Sequence, residues 1–256
     1  MEFELEIVTL SKQGGRTYNE DAFGHWNDER YVLCVVADGA GGHGGGDVAA
    51  AVVRASVLTG FAENPGLDAG LLRRLLERAN LDVVARQAEG GKLAEMRSTV
   101  VLAALDLQAQ QIALAHSGDS RAYLMRGGQI VTRTIDHSLV QQMVASGLID
   151  DEGARTHPQR NLLLSALGSI ESAPDIVVSQ PQQLQVNDVL LLCTDGLWEP
   201  LGDDCLRQTL AASRDASQWV EKLDVQVQAN AKPGHDNYTA LALWVREDDQ
   251  TTRMML

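Results

Sequence analysis

Two segments of this 256-residue chain deliver an aspartate at the end of an unbroken apolar run. Residues 31–37 lead into Asp38-Gly39, and residues 189–193 lead through Thr194 into Asp195-Gly196. A carboxylate at the end of a buried strand, with a flexible glycine carbonyl beside it, suits Mg²⁺ or Mn²⁺, which take oxygen ligands in near-octahedral geometry. One such aspartate is most often a turn or cap residue. Two in one chain favour convergence on a shared centre. Asp119, in Ser117-Gly118-Asp119-Ser120-Arg121, falls between two strand signals, and Asp236, in Gly234-His235-Asp236-Asn237, precedes another. Each alone reads as a turn former; four strand-end aspartates together supply the negative charge that a cluster of two or three cations requires.

Near the start, Arg16-Thr17-Tyr18-Asn19-Glu20-Asp21 places a guanidinium just ahead of two acids. Arginine binds a phosphoryl group bidentately while neighbouring carboxylates can serve a metal shell; the plain alternative is a surface arginine beside a solvated acidic turn. The stretch Gly39-Ala40-Gly41-Gly42-His43-Gly44 also satisfies G-x-G-x-x-G after a strand and before a helix, the dinucleotide fingerprint. Against that reading, a second long helix follows the first and the next strands are closely spaced, so the strand–helix–strand context fails. A Gly-rich turn with no ligand is the third alternative for the segment.

Strand signals cover residues 3–10, 31–37, 100–107, 111–116, 121–125, 130–135, 175–179, 189–194 and 238–245. The middle four are joined by short turn-like separators, which predicts an antiparallel meander. Helical periodicity is clear over 47–62, where Val48, Ala51, Val52, Ala55 and Leu58 share a face, and over 68–89, where Leu71, Leu72, Leu75, Leu76, Ala79 and Val83 do the same. Shorter helices are expected at 138–146, 203–212 and 216–228, the last turning Trp219, Val220, Leu223 and Val227 inward. This order is α+β, with sheets covered by helices and no strict βαβ alternation.

Lys+Arg number 21 against 35 Asp+Glu, a formal charge of −14. That balance argues against nucleic acid or anionic lipid as a partner. Of three cysteines, Cys34 and Cys193 lie in apolar runs, where a thiol behaves as a small hydrophobe, and no zinc spacing or Cys-x5-Arg phosphate loop occurs. The acidic, alternating N-terminus is wrong for a signal peptide, and no apolar run reaches the ~20 residues of a membrane span. The expectation is a cytoplasmic protein, monomeric because the surface is acidic and heptads are absent.

In order along the chain, Arg16-x-x-Asn19-Glu20-Asp21, Ala37-Asp38-Gly39-x-Gly41-Gly42-His43, Ser98-Thr99, Gly118-Asp119-Ser120-Arg121, Asp136-His137-Ser138, Thr194-Asp195-Gly196-Leu197 and Asp236-Asn237-x-Thr239 resemble the bacterial PPM/PP2C-type protein phosphatases, over about residues 12–244. The resemblance implies a four-layer α-β-β-α sandwich with two central antiparallel sheets flanked by helices. It implies one catalytic domain over residues 1–246 with a flap near 146–169, and a C-terminal tail over 247–256. It implies hydrolysis of phosphoserine and phosphothreonine in proteins by a water bridging Mn²⁺ or Mg²⁺ ions, two to three per chain, opposing a Ser/Thr kinase. Asp38 would bridge two ions, with the Gly39 carbonyl on one; Asp195 and Asp236 would ligate the other; Glu20 and Asp21 would act largely through waters. Asp119, with Asp195, corresponds to a third ion, and Arg16 would hold the substrate phosphate. Eukaryotic relatives often carry histidine directly after Asp-Gly; here that residue is Ala40, so His43 is the candidate acid, or else a residue that packs the glycine loop. The other functional reading is a phosphatase-like module that binds phosphoprotein without turnover.

Overall fold

Strand β3 (Tyr31–Ala40) shows why its sequence reads as a continuous apolar run. Val32, Cys34 and Val36 face one apolar layer while Leu33, Val35 and Ala37 face another, so both sides of the strand are buried. In this computed structural model, which describes residues 3–41, 44–169 and 172–247, the same division recurs across the molecule. Ahead of β3 run β1 (Phe3–Lys12) and β2 (Asp21–Asn27); after it come helices α1 (Gly46–Glu63) and α2 (Ala69–Gln87). Then follow β4 (Arg97–Ser98), β5 (Val100–Asp106), β6 (Gln111–Ser117), β7 (Arg121–Arg126) and β8 (Gln129–Arg133). Two short helices, α3 (Leu139–Ala145) and α4 (Asp151–Thr156), precede the two-residue strands β9 (Val177–Val178) and β10 (Gln182–Gln183). The chain closes with β11 (Val189–Cys193), α5 (Asp195–Ala211), α6 (Ala216–Asn230) and β12 (Tyr238–Glu247).

The strands form two antiparallel sheets, β1-β12-β11-β7-β8 and β10-β6-β5-β3-β2, the second also carrying β4 on β3 and β9 on β6. Three apolar layers result. Helices α1 and α2 cover one sheet through Val53, Phe61, Leu72 and Leu76 against Leu33, Val35 and Leu102. The sheets meet through Val36, Val101 and Leu114 against Leu124, Leu192 and Leu241. Helices α5 and α6 cover the other sheet through Leu206, Trp219 and Leu223 against Tyr123, Leu191 and Ala242. This is the expected α-β-β-α sandwich, and its antiparallel sheets leave no βαβ unit for the dinucleotide reading.

Five expectations need correction. Helix α1 turns Ala49, Ala50, Val53, Val57 and Phe61 inward, leaving Ala55 exposed and Val48, Ala51, Val52 and Leu58 half-buried, because its apolar residues surround most of the helix and do not single out one face. The middle strands are not one meander: β5–β6 pair in one sheet and β7–β8 in the other, so the chain changes sheets at Gly118-Asp119. The strand expected at 175–179 shrinks to β9, and the segment read as a turn after Thr194 is instead the first turn of α5. Pro200 and Gly202, the latter at φ 66°, break α5 in its middle, which is why periodicity showed only its second half. Glu247, expected to open the tail, still pairs with Phe3 in the ladder; residues 248–256 lie outside the described residues. Strand β2 had no sequence signal, because its seven residues mix polar and apolar types at a sheet edge.

Trp219 is fully buried and donates its indole N–H to Thr209 Oγ1 at 3.1 Å. Trp219→Ala should cost about 3–5 kcal/mol through the cavity it leaves. Urea unfolding followed by near-UV circular dichroism measures that loss.

Candidate active site

The polar cleft at one end of the sandwich draws its acids from both sheets. Asp38 lies near the end of β3 and stands opposite Asp21 of β2 in register. Asp195 opens α5 with only Thr194 between it and β11, and Asp236 precedes β12 with only Asn237 between them. Asp119 sits where the chain crosses between sheets, 8 % exposed. Close backbone approach makes this possible: a side chain at Gly39 would strike the Gly46 carbonyl, and one at Gly196 the Asn237 carbonyl.

The supporting bonds span the whole chain. The Asp38 carbonyl accepts from Thr99 N–H at 2.8 Å and from Ser98 Oγ at 3.0 Å. Asp21 Oδ2 accepts from Thr239 Oγ1 at 2.7 Å and from Thr194 Oγ1 at 3.0 Å, both hydroxyls coming from the opposite sheet. Asn237 pins the loop that carries Arg16 and Glu20. Its amide donates to the Gln13 and Tyr18 carbonyls at 2.7 and 2.9 Å, and its Oδ1 accepts from Glu20 N–H at 2.9 Å. Arg16 Nη2 meets Asp236 Oδ2 at 2.5 Å, with the arginine side chain 52 % exposed. Sequence motifs contained Thr99, Thr194, Asn237 and Thr239 but gave them no task, because their partners lie far away along the chain.

Electrostatics mark the cluster as short of positive charge. Burial pushes Asp38 well above the usual carboxylate range, and the charges of Asp21, Asp195, Asp119 and Asp236 push it the same way. Asp195 is raised likewise by burial and then by Asp119, Asp236 and Asp21. Burial lifts Asp21 to about 6 against the pull of its two hydroxyl donors, and lifts Asp119 to about 7, helped by Asp136. Glu20 is raised by burial and then by Asp47. Three carboxylate oxygens, Glu20 Oε1, Asp21 Oδ1 and Asp195 Oδ1, are sealed from water with no hydrogen-bond partner. Buried polar atoms are otherwise almost always satisfied, so acceptors left open among mutually repelling acids fit a hard cation. Among the described residues, no three acidic, His or Cys side chains form a ready-made ion cage. A hard cation such as Mg²⁺ needs none, since it is commonly held by one or two carboxylates and keeps several waters.

Of the residues singled out from sequence, the structure brings together Asp21, Asp38, Asp119, Asp195 and Asp236, with Glu20 and Arg16 at their edge and the Gly39 backbone beside them. His43 lies outside the described residues. The thiols take no part: burial alone pushes Cys34 up to about 12, and burial first of all raises Cys193.

Raised acids fix the sign of a pH effect. A carboxyl whose folded pKa exceeds its ordinary value adds stability below that ordinary value, and loses it as pH climbs through the folded one. For Asp21 and Asp119 the window runs from 3.8 to about 7. The melting temperature of chelator-treated protein should therefore rise as pH falls from 8 to 5. Asp21→Asn and Asp119→Asn should each flatten that slope in differential scanning calorimetry.

The family model described as Protein phosphatase 2C matches residues 11–244. The serine/threonine phosphatase stp of Listeria monocytogenes is 35% identical over 234 residues, covering 88% of this chain and 90% of that protein. The crystal structure of serine/threonine phosphatase Stp1 from Staphylococcus aureus superposes with a TM-score of 0.84 at 27% identity, covering 95% of this chain and 96% of that one. The catalytic domain of serine/threonine protein phosphatase PstP in complex with two manganese ions gives a TM-score of 0.79 at 29% identity, covering 96% of this chain and all (100%) of that one. With two sheets supplying one cluster of cation-hungry acids, and a family match across nearly its whole length, the chain belongs to the protein phosphatase 2C family.

Proposed function

We propose that this chain hydrolyses phosphoserine and phosphothreonine in proteins with the help of divalent cations, opposing a Ser/Thr kinase. The observation that carries the reading is the set of open, buried acceptors on Glu20, Asp21 and Asp195 beside Asp38, with an arginine at the rim. Asp38 would hold two ions, with the Gly39 carbonyl on one and Asp195 and Asp236 on the other. Glu20 and Asp21 would act through waters, and Asp119 with Asp195 would hold a third. Cations there supply the charge that neutralises phosphoryl oxygens and makes water a stronger acid.

The protein's own groups do the positioning. Thr194 and Thr239 hold one oxygen of Asp21, which leaves Oδ1 free to face the cluster. Ser98 and Thr99 fix the backbone of Asp38, so its carboxylate is aimed by two strands at once. Arg16, held against Asp236 yet half exposed, presents its remaining guanidinium edge to a phosphate. His43 is the proposed proton donor to the leaving alkoxide. The catalytic domain runs to Glu247, where β12 ends, and acts as a monomer in the cytoplasm. No helix among the described residues is long and apolar enough to cross a membrane.

With Mn²⁺ the purified protein should hydrolyse p-nitrophenyl phosphate and a phosphothreonine peptide, and chelator should abolish both activities. Asp38→Ala and Asp195→Ala should each lower kcat by about 100-fold or more, with the fold retained by circular dichroism. Arg16→Ala should mainly raise KM, since it removes phosphate binding. His43→Gln should slow the peptide more than p-nitrophenyl phosphate, whose leaving group needs no proton. Turnover that persists in chelator overturns the cation reading, and phosphopeptide binding without turnover under every divalent metal favours the binding module.

A further inference from the structure

The turn that carries Asp119 has no ladder to hold it. Strand β6 ends at Ser117 in one sheet and β7 begins at Arg121 in the other, with Gly118 between them at φ +107°, where a Cβ would lie 2.6 Å from Thr99 Cβ. The turn instead hangs on groups from elsewhere. His137 N–H donates to the Gly118 carbonyl at 3.0 Å, and the His137 ring accepts from Gly118 N–H through Nδ1 at 3.2 Å. The Asp119 carbonyl accepts from the indole Nε1–H of Trp198 at 3.0 Å.

Trp198 is itself held firmly. The Arg121 guanidinium lies 3.4 Å from the centre of its ring. That guanidinium is in turn fixed by a two-pronged pair with Asp136 at 2.7 and 2.8 Å, and by Tyr123 OH at 3.1 Å. Trp198 also stands three residues after Asp195 in the first turn of α5. One helical turn thus carries the Asp195 carboxylate and, through an indole, grips the backbone of Asp119. Between these groups and Arg160 and Asn161 lies a cavity of about 140 Å³, which Asp119, Asp195 and Trp198 all line.

We propose that Trp198 is a positioning residue: by holding the Asp119 carbonyl it sets the reach of the Asp119 carboxylate toward Asp195, and with it the affinity of the cation those two acids share. The proposal rests on the reading of Asp119 and Asp195 as a cation pair given above. Groups that orient ligands without touching the metal commonly change its affinity by 10- to 100-fold. The indole does so here through the main chain, because the turn has no ladder bonds and its other restraints, the two His137 bonds at Gly118 and the Ser120 Oγ–Thr99 Oγ1 bond at 2.7 Å, hold the residues on either side of Asp119.

Trp198→Phe keeps a ring for Arg121 and the cavity wall but removes the donor. The metal-stripped full chain, titrated with Mn²⁺ alone by isothermal calorimetry, is compared with Trp198→Phe and Asp119→Asn. We expect a weak Mn²⁺ equivalent in the unmodified chain that Asp119→Asn loses and Trp198→Phe weakens by about tenfold, the tighter equivalents shifting less than about twofold. If Asp119→Asn loses the weak equivalent and Trp198→Phe leaves it unchanged, or weakens every equivalent alike, Trp198 only packs and the proposal falls alone. If Asp119→Asn retains it, the cation-pair reading falls and takes the proposal with it. Should Trp198→Phe fail to fold, benzothienylalanine at position 198, a bicycle of the same shape without the N–H, gives the same comparison.

Discussion

Like charges crowded into a place with little water are the constraint on which this structure turns. Asp38 feels Asp21, Asp195, Asp119 and Asp236 together, and a protein spends stability to keep such groups adjacent. The arrangement holds because each acid is tied from behind by a different element. Hydroxyls of Thr194 and Thr239 reach from one sheet to Asp21 on the other, and Ser98 and Thr99 brace the main chain at Asp38. The repulsion is directed inward, at the space where positive charge belongs. Burial in three apolar layers makes the frame stiff enough to sustain it.

The two sheets therefore have a joint role that neither has alone. Asp21 and Asp38 come from one, Asp195 and Asp236 from the ends of strands in the other, and Asp119 from the crossing between them. Antiparallel sheets stacked face to face bring strand ends from distant parts of the sequence to one rim, so a chain with acids at those ends gathers them without any local motif. A glycine follows both Asp38 and Asp195 for a steric reason: at each, the neighbouring backbone of another segment occupies the space of a side chain.

Much of this was legible in the sequence where burial is periodic. The double-sided strands β3, β5 and β11 announced themselves as apolar runs, and α2 and α6 as amphipathic stripes, whereas α1 is apolar on more than one side and the stripe chosen from its sequence is not the one it buries. Asp38, Asp119, Asp195 and Asp236 were legible because each ends or precedes an apolar strand, and Glu20 and Asp21 because they follow Arg16. What escaped has a common cause in long-range geometry. Strands β2, β4 and β10 carry no pattern of their own and exist because a partner strand is there. The sheet change at Gly118 looked like a hairpin turn, since three residues joining two strands read the same whether the strands pair or part. Asn237, Thr194 and Thr239 act on residues 45 to 228 positions away, a separation invisible to local reading.

The break in α5 separates two kinds of constraint along one helix. Before Pro200 and Gly202, Asp195, Trp198 and Glu199 answer to the cleft, while Leu197 packs into the apolar layer: Asp195 faces the acids, Trp198 grips Asp119, and Glu199 pairs with Arg160. Beyond the break, Leu206 and Leu210 answer only to the apolar layer against α6. The bend lets the first turn meet the cleft at an angle different from the axis that the apolar layer sets for the rest of the helix.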